Sequence, residues 1–475
     1  MQRGISAFRE ETVMLHPSID FTVYMRPGVR VHLAGIGGVS MCPLAEVLAR
    51  MGLTVQGSDM NESPTVEHLR SLGIEVAIGH SAENLRQCDV VIRTAAIKDD
   101  NPEIAGAVTR GIPVYERAQA WGAIMREYEN ALCIAGTHGK TTTTSMATHI
   151  FMAAGADPTV MIGGTLPLLH HAGYRVGHGD TIILESCEYC DSFLNFFPTV
   201  AVILNVAADH LDYFADLNAI KRSFRAFADL VPEEGCTVAN WDDPGARDAL
   251  AGYTGQLRWF SLKDRSVFCH AENVAYYDGL PSFDIVIAGQ VYAHVDLQVG
   301  GSHNASNALA AACSAWVLGV DGKFVAEGLN RFLGAGRRFE RKGTFHGADV
   351  YDDYAHHPDE LHALLTMARQ RPYERIICAF QPHTYSRTKK LFDQFVAELK
   401  LPDVTVLAEI YAAREQNDIG ISSRDLAAQI PGAVYCPTLN DVTDTLAKLA
   451  RPGDLILTVG AGDIFRAGEQ LVKRG

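Results

Sequence analysis

The chain has 475 residues, of which 47% are hydrophobic and 20% are charged, a composition typical of a globular enzyme. Its formal net charge of -15 argues against nonspecific binding to DNA or RNA, which needs a basic surface. No apolar run reaches the roughly 18 residues of a membrane span, and the N-terminal stretch lacks the apolar core of a signal peptide. We therefore expect a cytoplasmic enzyme with no nucleic-acid partner and no membrane insertion.

Strand-like and helix-like segments alternate along most of the chain, and this alternation predicts parallel sheets with crossover helices. The first strand is expected at VRVHLA, followed by a helix from Met41 to Met51. A second block opens at ALCIAG, and a third opens at ADVYDD. Domain boundaries are predicted near residues 127–130 and 332–336. Residues 255–301 resemble antiparallel strands within the middle domain.

A glycine-rich loop, GTHGKT, lies between a predicted buried strand and a predicted helix. The N–H groups and the positive dipole at a helix N-terminus favour phosphate, and Lys140 adds a cation. The hydroxyl of Thr141 is suited to Mg²⁺. Ile134 stands where the standard phosphate-binding pattern has its first glycine, so a chance G-K-T sequence is the alternative. The loop predicts a nucleoside triphosphate site but no particular reaction.

Three polar residues follow other strands of the same block. Glu185 ends TIILE, and Asp209 and His210 follow TVAVILN. The carboxyl ends of parallel strands line the ligand crevice, so these residues should converge with the loop. Because Mg²⁺ prefers oxygen ligands, Thr141 and Glu185 suit one ion, and His210 is a candidate to ligate or orient a second. The alternatives are a surface acid at a strand end and a capping or buried histidine.

The first predicted strand also runs into glycines, GIGG at residues 35–38, and Asp59 closes the next strand. Dinucleotide-binding folds share this pattern, which would suit any pyrophosphate. Ser40 stands where the third glycine of that fingerprint would be. A dinucleotide-dependent oxidoreductase is therefore the weaker interpretation.

The ten cysteines are scattered, and most lie in apolar segments, as reduced core thiols do. Cys187 and Cys190 have C-x-x-C spacing. A zinc site would need further ligands at similar spacing, and a redox site would need a thioredoxin-like context. The sequence offers neither, which favours a structural role for the pair.

Together these motifs resemble the Mur ligases over nearly the whole chain from about Val31 onward. The phosphate loop has the family's short form, and HNASNALAA, GRRFE and DDYAHHPDEL resemble other signatures of the family. The resemblance implies an α/β fold of three domains. These are a Rossmann-like N-terminal domain over 1–128, a P-loop-type central parallel sheet with added antiparallel strands over 129–333, and a Rossmann-like C-terminal domain over 334–475.

Three features resemble the member that attaches L-alanine to UDP-N-acetylmuramate, namely HLAGIGGVSM, the double histidine His356-His357, and FQPHTYSRT. The resemblance implies ATP-dependent ligation through an acyl phosphate in peptidoglycan synthesis, with Mg²⁺ as cofactor. The partners would be ATP, UDP-N-acetylmuramate and L-alanine, and the protein a monomer or weak homodimer. The nearest alternative is the recycling ligase that attaches a murein tripeptide to the same sugar nucleotide. A non-catalytic nucleotide-binding regulator is disfavoured because Glu185, His210 and Asp353 are all present.

The resemblance carries family roles onto matching positions. It assigns UDP-N-acetylmuramate to Gly35, Gly37, Gly38, Ser40, Asp59, Thr94, Ala95 and Ala96. It assigns ATP to Gly136, Thr137, His138, Gly139, Lys140, Thr141, Thr142, Asn304, Asn307, Arg338 and Asp353. It assigns L-alanine to His356, His383 and Arg387, and metal to Thr141, Glu185 and His210. The catalytic set is Lys140, Glu185, His210, Arg338 and His356, with His356 the candidate to help the amine lose its proton.

The sequence departs from the family at two places. Thr384 stands where many relatives have arginine, next to His383. Several sister ligases carry a carbamylated lysine downstream of the D-H motif, but Arg225 has that spacing here and Lys221 lies one turn too early. No carbamylated lysine is therefore predicted. Residues 1–28 precede the resemblance and receive no role.

Overall fold

The structure, a computed structural model, describes residues 20–94, 96–210, 213–413 and 415–475. The chain divides into two units. The first consists of residues up to Gly163 together with Ala172–His270 and Ala310–Val325. The second consists of Gly164–His171, Ala271–Leu309 and Ala326–Gly475.

A parallel sheet with strand order β3-β2-β1-β4-β5 comes first in the first unit. Its strands are β1 (Arg30–Ala34), β2 (Thr54–Asp59), β3 (Glu75–Ile78), β4 (Val90–Arg93) and β5 (Val114–Glu116). The helices are α1 (Cys42–Arg50), α2 (Pro64–Ser71), α3 (Pro102–Thr109) and α4 (Arg117–Met125). Because the strand order reverses at β1, the carboxyl end of β1 lies where such sheets bind ligands.

A second sheet of the first unit has the order β12-β11-β10-β6-β9-β7-β8. These strands are β6 (Asn130–Ala135), β7 (Thr159–Leu166), β8 (Ala172–Arg175), β9 (Thr181–Glu185), β10 (Val200–Ile203), β11 (Cys236–Asn240) and β12 (Leu257–Ser261). Its helices are α5 (Lys140–Ala153), α6 (Leu217–Ala228) and α7 (Pro244–Ala249). The central strands β6, β9 and β10 pair in parallel, so their carboxyl ends share one edge.

The strands that follow are β13 (Cys269–Tyr277), β14 (Leu280–Ile287) and β15 (Gln290–Asp296). Two helices come after them, α8 (Ser302–Val317) and α9 (Gly322–Asn330). The predicted antiparallel pairing in this region is found between β14 and β15. However, β12 pairs in parallel with both β11 and the start of β13, so the parallel sheet extends further than the sequence predicts.

The second unit contains a sheet with order β16-β17-β21-β18-β19-β20. Its strands are β16 (Glu340–Phe345), β17 (Ala348–Asp353), β18 (Arg375–Phe380), β19 (Val404–Ala408), β20 (Val434–Cys436) and β21 (Asp454–Val459). Its helices are α10 (Pro358–Arg369), α11 (Tyr385–Lys390), α12 (Phe392–Glu398), α13 (Ser423–Ala427), α14 (Leu439–Leu449) and α15 (Phe465–Lys473). The β16–β17 pair is antiparallel, and the other four neighbouring pairs of this sheet are parallel. Apolar side chains are buried in two separate clusters, one containing Leu361 and Phe380 and the other Val350 and Ile377.

The predicted fold class, α/β with parallel-dominated sheets, is confirmed. The domain boundaries at 128/129 and 333/334 stay predictions. None of the helices among the described residues has both the length and the apolar character needed to cross a bilayer.

Candidate functional site

The phosphate loop (residues 136–141) joins β6 to α5, as predicted. Asn205 fixes its shape, because the Asn205 Oδ1 accepts the His138 N–H at 2.7 Å and the Asn205 amide donates to the His138 carbonyl at 2.9 Å. Gly139 has φ 86°, a left-handed conformation that glycine adopts without strain. Lys140, Thr141 and Thr142 form the first turn of α5. The loop therefore presents the N-terminus of a buried helix to a ligand.

Thr141 and Glu185 lie in contact, although they are far apart in sequence. The Thr141 hydroxyl donates to Glu185 Oε1 at 3.0 Å, and the Gly163 amide donates to Oε2 at 2.6 Å. A Cβ atom on Gly163 would lie 2.5 Å from Glu185 Oε1, so a glycine is needed beside the carboxylate. A hydroxyl and a carboxylate are oxygen donors that a hard cation prefers. The pair fits Mg²⁺.

Lys140 is paired with a residue that the sequence prediction missed. Its ammonium donates to Glu188 Oε2 at 3.0 Å and to the Thr137 carbonyl at 3.2 Å. Burial acts to lower the pKa of Lys140, but the neighbouring charges of Glu188, Cys187 and Glu185 outweigh it, and the pKa is raised. The Glu188 side chain is 2% exposed. A second acid just past the strand-end acid, in the sequence ESCE, was the available signal.

His210 follows β10 and lies at the same edge of the sheet. Its Nε2 is 3.9 Å from Glu188 Oε1 and 3.9 Å from Asp209 Oδ2, and its ring is 4.8 Å from that of Tyr189. Downstream, Lys221 pairs with Asp248 at 2.7 Å, and Arg225 pairs with Asp229 at 2.9 Å. The structure thus brings Lys140, Thr141, Glu185 and His210 together.

The first glycine loop (residues 35–40) joins β1 to α1. The Gly35 and Ile36 amides donate to the Ser58 carbonyl at 2.8 and 2.9 Å. The Gly37 amide donates to Asp59 Oδ2 at 3.0 Å, and a Cβ atom on Gly37 would lie 2.9 Å from that oxygen. Asp59 is therefore held against the loop, as the assignment to a sugar nucleotide requires.

Arg117, at the start of α4, is a second residue that the sequence prediction missed. Its guanidinium donates to the Ser40 hydroxyl, and the Trp121 indole donates to the Ser40 carbonyl at 3.3 Å. The loop itself has no lysine or arginine, so Arg117 supplies a cation from elsewhere in the chain. Thr94 lies across the loop, with its Cγ2 3.1 Å from where a Gly35 Cβ would be. The Ala96 amide donates to the Thr94 hydroxyl at 3.4 Å, and Ala95 lies outside the described residues.

A buried carboxylate supports the first glycine loop from behind. Glu103 is fully buried, accepts from the Ser58 hydroxyl at 2.6 Å and the Asn84 amide at 2.7 Å, and lies 3.3 Å from His32 Nε2. The His80 Nδ1 is 3.0 Å from the same Glu103 carboxylate. Burial acts to raise the pKa of Glu103, but His32, Ser58 and Asn84 outweigh it and lower the pKa to about 2. Ser58 therefore links this carboxylate to the loop.

In the second unit, the two arginines of GRRFE have different surroundings. Arg337 donates to Asp352 Oδ2 at 2.8 Å and to the Gly462 carbonyl at 3.0 Å, so it joins β17 to the segment that follows β21. Arg338 lies over the Tyr354 ring at 5.2 Å. Burial raises the pKa of Asp353 to about 6, although the charge of Arg338 opposes the shift. Arg338 and Asp353 are thus neighbours, as the assignment to ATP expects.

Asn304 and Asn307 lie one turn apart on α8. The Asn307 amide donates to Asn304 Oδ1 at 3.2 Å, and the Asn304 amide donates to the Gly300 carbonyl at 2.8 Å. Asn307 is buried. Their role in binding ATP stays a prediction.

The three residues assigned to L-alanine are brought together in the second unit. His356 follows β17 and His383 follows β18, both strands pair with β21, and the two rings lie 6.1 Å apart. Burial lowers the pKa of His383 to about 4, and the charges of His356 and Arg387 add to the shift. The departure at Thr384 has φ 67°, a strained conformation for a β-branched residue. Strain of this kind is found at functional sites.

Cys187 and Cys190 are exposed and are not joined in a disulfide; Cys187 lies between Glu185 and the 3-10 helix Tyr189–Asn195, and Cys190 lies within that helix. Cys190 has φ 54° and Asp191 has φ 52°, so the backbone turns sharply there. The Ser223 hydroxyl donates to Asp191. The structural role predicted for the cysteine pair is not tested by these contacts.

Three sequence models match successive parts of the chain. Residues 30–129 match the Mur ligase family catalytic domain, residues 134–315 match the Mur ligase middle domain, and residues 337–462 match the Mur ligase glutamate ligase domain. These matches include the phosphate loop, the first glycine loop, and the residues assigned to L-alanine in the second unit, His356, His383 and Arg387.

Full-length relatives and solved structures are also similar to the chain over most of its length. The chain is 41% identical over 462 residues to a UDP-N-acetylmuramate–L-alanine ligase of Clostridium tetani, covering 96% of this chain and 100% of that protein. It is 43% identical to the ligase of the same name from Agathobacter rectalis, covering 94% of this chain and 98% of that protein. The crystal structure of UDP-N-acetylmuramate-alanine ligase from Thermotoga maritima has a TM-score of 0.77 and 30% identity, covering 94% of this chain and 98% of that one. A murein peptide ligase from Psychrobacter arcticus has a TM-score of 0.71 and 25% identity, with the same coverage.

Proposed function

Because the chain belongs to the Mur ligase family, we propose that it joins L-alanine to the lactyl carboxylate of UDP-N-acetylmuramate while ATP is cleaved to ADP and phosphate. The family resemblance predicted from the motifs is confirmed. The observation that carries the substrate assignment is the 41% identity to an L-alanine ligase over that protein's full length. The tripeptide-adding alternative has less support, since the murein peptide ligase structure is 25% identical against 30% for the alanine ligase structure.

The reaction needs an activated carboxylate, because a carboxylate and an amine do not condense at useful rates in water. A lactyl carboxylate oxygen attacks the γ-phosphorus of ATP, and ADP leaves. The amine of L-alanine then attacks the carbonyl of the acyl phosphate, and phosphate leaves. The Lys140 ammonium and the amides at the start of α5 are the groups that hold the phosphates.

Magnesium fits the oxygen donors of this site, and we assign it to Thr141 and Glu185, with a second ion at His210. A bound ion would neutralise the charge of the transferring phosphoryl group. The contact between Thr141 and Glu185 and the 3.9 Å separation of His210 from Glu188 support this assignment.

The sugar nucleotide is assigned to the first glycine loop, with Asp59 for hydroxyl groups and Arg117 for phosphate. L-alanine is assigned to His356, His383 and Arg387, where His383 stays neutral near pH 7 because its pKa is lowered to about 4. His356 is the candidate to accept the amine proton. The roles of Asn304, Asn307, Arg338 and Asp353, the oligomeric state and the cytoplasmic location stay predictions.

An ADP-release assay with UDP-N-acetylmuramate and a panel of amines tests the proposal. We expect L-alanine to have the highest kcat/KM. The kcat/KM for glycine and L-serine should be lower by about ten- to two-hundredfold at most, because a pocket gains only ~1–3 kcal/mol from one methyl group. A preference for the murein tripeptide would move the chain to the recycling reaction. No ADP release with any amine would refute the ligase assignment.

An isotope experiment tests the chemistry. ¹⁸O placed in the lactyl carboxylate is expected in the released phosphate, because the acyl phosphate transfers that oxygen to phosphorus. AMP as a product would instead indicate an adenylate.

A further inference from the structure

The Glu188 carboxylate is a deeply buried charge beside the phosphate loop. It is 2% exposed, accepts from the Lys140 ammonium at 3.0 and 3.4 Å, and lies 3.9 Å from His210 Nε2. It is three residues beyond Glu185, the acid that contacts Thr141. Glu188 therefore faces the phosphate-loop cation on one side and the candidate ligand of a second metal ion on the other.

The pairing of Lys140 with Glu188 conflicts with the role of Lys140 toward phosphate. A lysine that neutralises the phosphates of ATP has to direct its ammonium to them, and Glu188 would then be left buried without its cation. Leaving one member of a buried ion pair uncompensated is strongly unfavourable. A second positive charge has to take the place of Lys140 when a nucleotide binds.

A divalent cation beside His210 has the chemistry and the position for this replacement. The 3.9 Å between His210 Nε2 and Glu188 Oε1 is short enough for a small movement to bring both atoms onto one ion. A carboxylate oxygen is an ordinary ligand of Mg²⁺ and Mn²⁺, and the His210 nitrogen offers a second, softer ligand beside it. Asp209 Oδ2 lies equally close to His210 Nε2, at 3.9 Å, and Glu188 is the carboxylate that pairs with Lys140.

We propose that Glu188 exchanges cations as the nucleotide binds: it holds Lys140 in the nucleotide-free protein and shares a divalent cation with His210 once Lys140 has turned to the phosphates. The inference rests on the proposed function, because it needs a nucleotide in the phosphate loop. It makes nucleotide and metal binding cooperative through Glu188. Because such coupling is reciprocal, the metal ion should change the affinity for the nucleotide by the same factor as the nucleotide changes the affinity for the metal ion.

The test measures binding, so it does not depend on turnover. A non-hydrolysable ATP analogue is titrated by calorimetry with EDTA and with Mn²⁺, and bound Mn²⁺ is counted by electron paramagnetic resonance at saturating analogue. In Glu188→Gln the competing ion pair is gone, so we expect metal-free affinity for the analogue to rise about tenfold, within the usual range of such couplings. The same variant should bind one Mn²⁺ fewer than the unsubstituted chain.

His210→Ala is the second variant. It removes the other proposed ligand of the same ion and leaves Glu188 unchanged. It should also lose one Mn²⁺, but its metal-free affinity for the analogue should not change, because Lys140 and Glu188 remain paired. Glu46→Gln is the matched control, a partly buried glutamate of the same unit that contacts His68 and Tyr174. It should change neither quantity.

Two outcomes would overturn the inference while leaving the proposed function intact. One is an unchanged Mn²⁺ count in Glu188→Gln. The other is weaker binding of the analogue by Glu188→Gln with and without metal, which is the signature of a structural role. If the unsubstituted chain bound no ATP analogue at all, the proposed function would fail and this inference with it.

Discussion

Two loops of the first unit share one construction, a buried strand followed by glycines and a helix, but the charges around their amides differ. In the first glycine loop a carboxylate, Asp59, accepts from the Gly37 amide at 3.0 Å, and the nearby cation Arg117 comes from a distant helix. In the phosphate loop the cation, Lys140, belongs to the loop itself, and the acids face the lysine and Thr141.

This difference suits the two loops to two different kinds of nucleotide ligand. A carboxylate beside the loop amides suits the hydroxyl groups of a sugar and opposes a dense phosphate charge. A lysine within the loop suits a triphosphate whose terminal group is transferred. We therefore expect changes in the phosphate loop to alter turnover, and changes at the first glycine loop to alter the KM for the sugar nucleotide.

The largest expected effect is that of Lys140→Ala on turnover. A transferring phosphoryl group that loses its buried cation should react more slowly by on the order of a thousandfold. Steady-state ADP release measures kcat, and circular dichroism checks that the variant is folded.

Lys221→Ala is the control for this prediction, because Lys221 lies on α6 and pairs with the exposed Asp248 at 2.7 Å. It should keep turnover within about twofold, as surface ion pairs contribute little. A loss of turnover comparable to that of Lys140→Ala would contradict the prediction that no carbamylated lysine acts here.

Glu185→Ala should have the next largest effect, on metal dependence. Without the carboxylate that contacts Thr141, the Mg²⁺ concentration for half-maximal activity should rise roughly ten- to a hundredfold. Activity is measured across a magnesium titration, with Glu234→Ala, an exposed acid of the same unit, as control. An unchanged magnesium requirement would make Glu185 a structural acid only.

Arg117→Ala should show most directly whether the two loops bind different substrates. Loss of the cation beside Ser40 should raise the KM for UDP-N-acetylmuramate about tenfold, the scale of one hydrogen bond to a charged group, with little change in the KM for ATP. Arg110→Ala is the control, since Arg110 is exposed and donates to the Leu85 carbonyl at 3.3 Å. Equal increases in both KM values would remove the distinction between the loops.

Much of the fold followed from the sequence, because buried parallel strands are apolar runs that end in glycine or acid. Glu185, the last residue of β9, and His210, in the segment after β10, were therefore expected at the same edge of the sheet, where the structure has them. Glu188 was overlooked although it lies only three residues past Glu185, because its partner Lys140 is 48 residues away and nothing local indicates the pairing. The Arg117–Ser40 contact spans 77 residues and the Glu103–Ser58 contact 45, so chain folding alone creates them.

The direction of strand β12 is a second feature that the sequence does not predict. Its residues are less buried than those of the central strands, with three intermediate positions followed by two buried ones, whereas every position of β10 is buried. Strand direction is set by which neighbour is paired, and the parallel partner β11 is not indicated by the β12 sequence. The sequence pattern therefore predicts a strand there but not its direction.

The smallest expected effect concerns how the two loops are supported, and it depends on pH. The first glycine loop is held by Ser58, whose hydroxyl donates to Glu103, whereas the phosphate loop is held by the uncharged Asn205. The pKa of Glu103 is lowered to about 2 in the folded chain, below its ordinary value of 4.5. A carboxyl group with a lowered pKa stabilises the fold above its unfolded pKa, and this contribution is lost as pH falls from there toward the folded pKa.

Glu103→Gln should therefore lower the free energy of unfolding at about pH 6 by up to about 3 kcal/mol, and the difference from the unsubstituted chain should shrink as pH falls below about 4.5. Thermal unfolding of both proteins between about pH 6 and pH 3.5 measures the difference, which is read from the transition of the first unit because two units need not unfold together. Asn205→Ala, the matching change at the phosphate loop, should destabilise by an amount that does not vary over this range, because no ionisable group is removed. A Glu103→Gln difference that stays constant with pH would show that the carboxylate is not charged in the folded chain, and the two loops would then be supported in the same way.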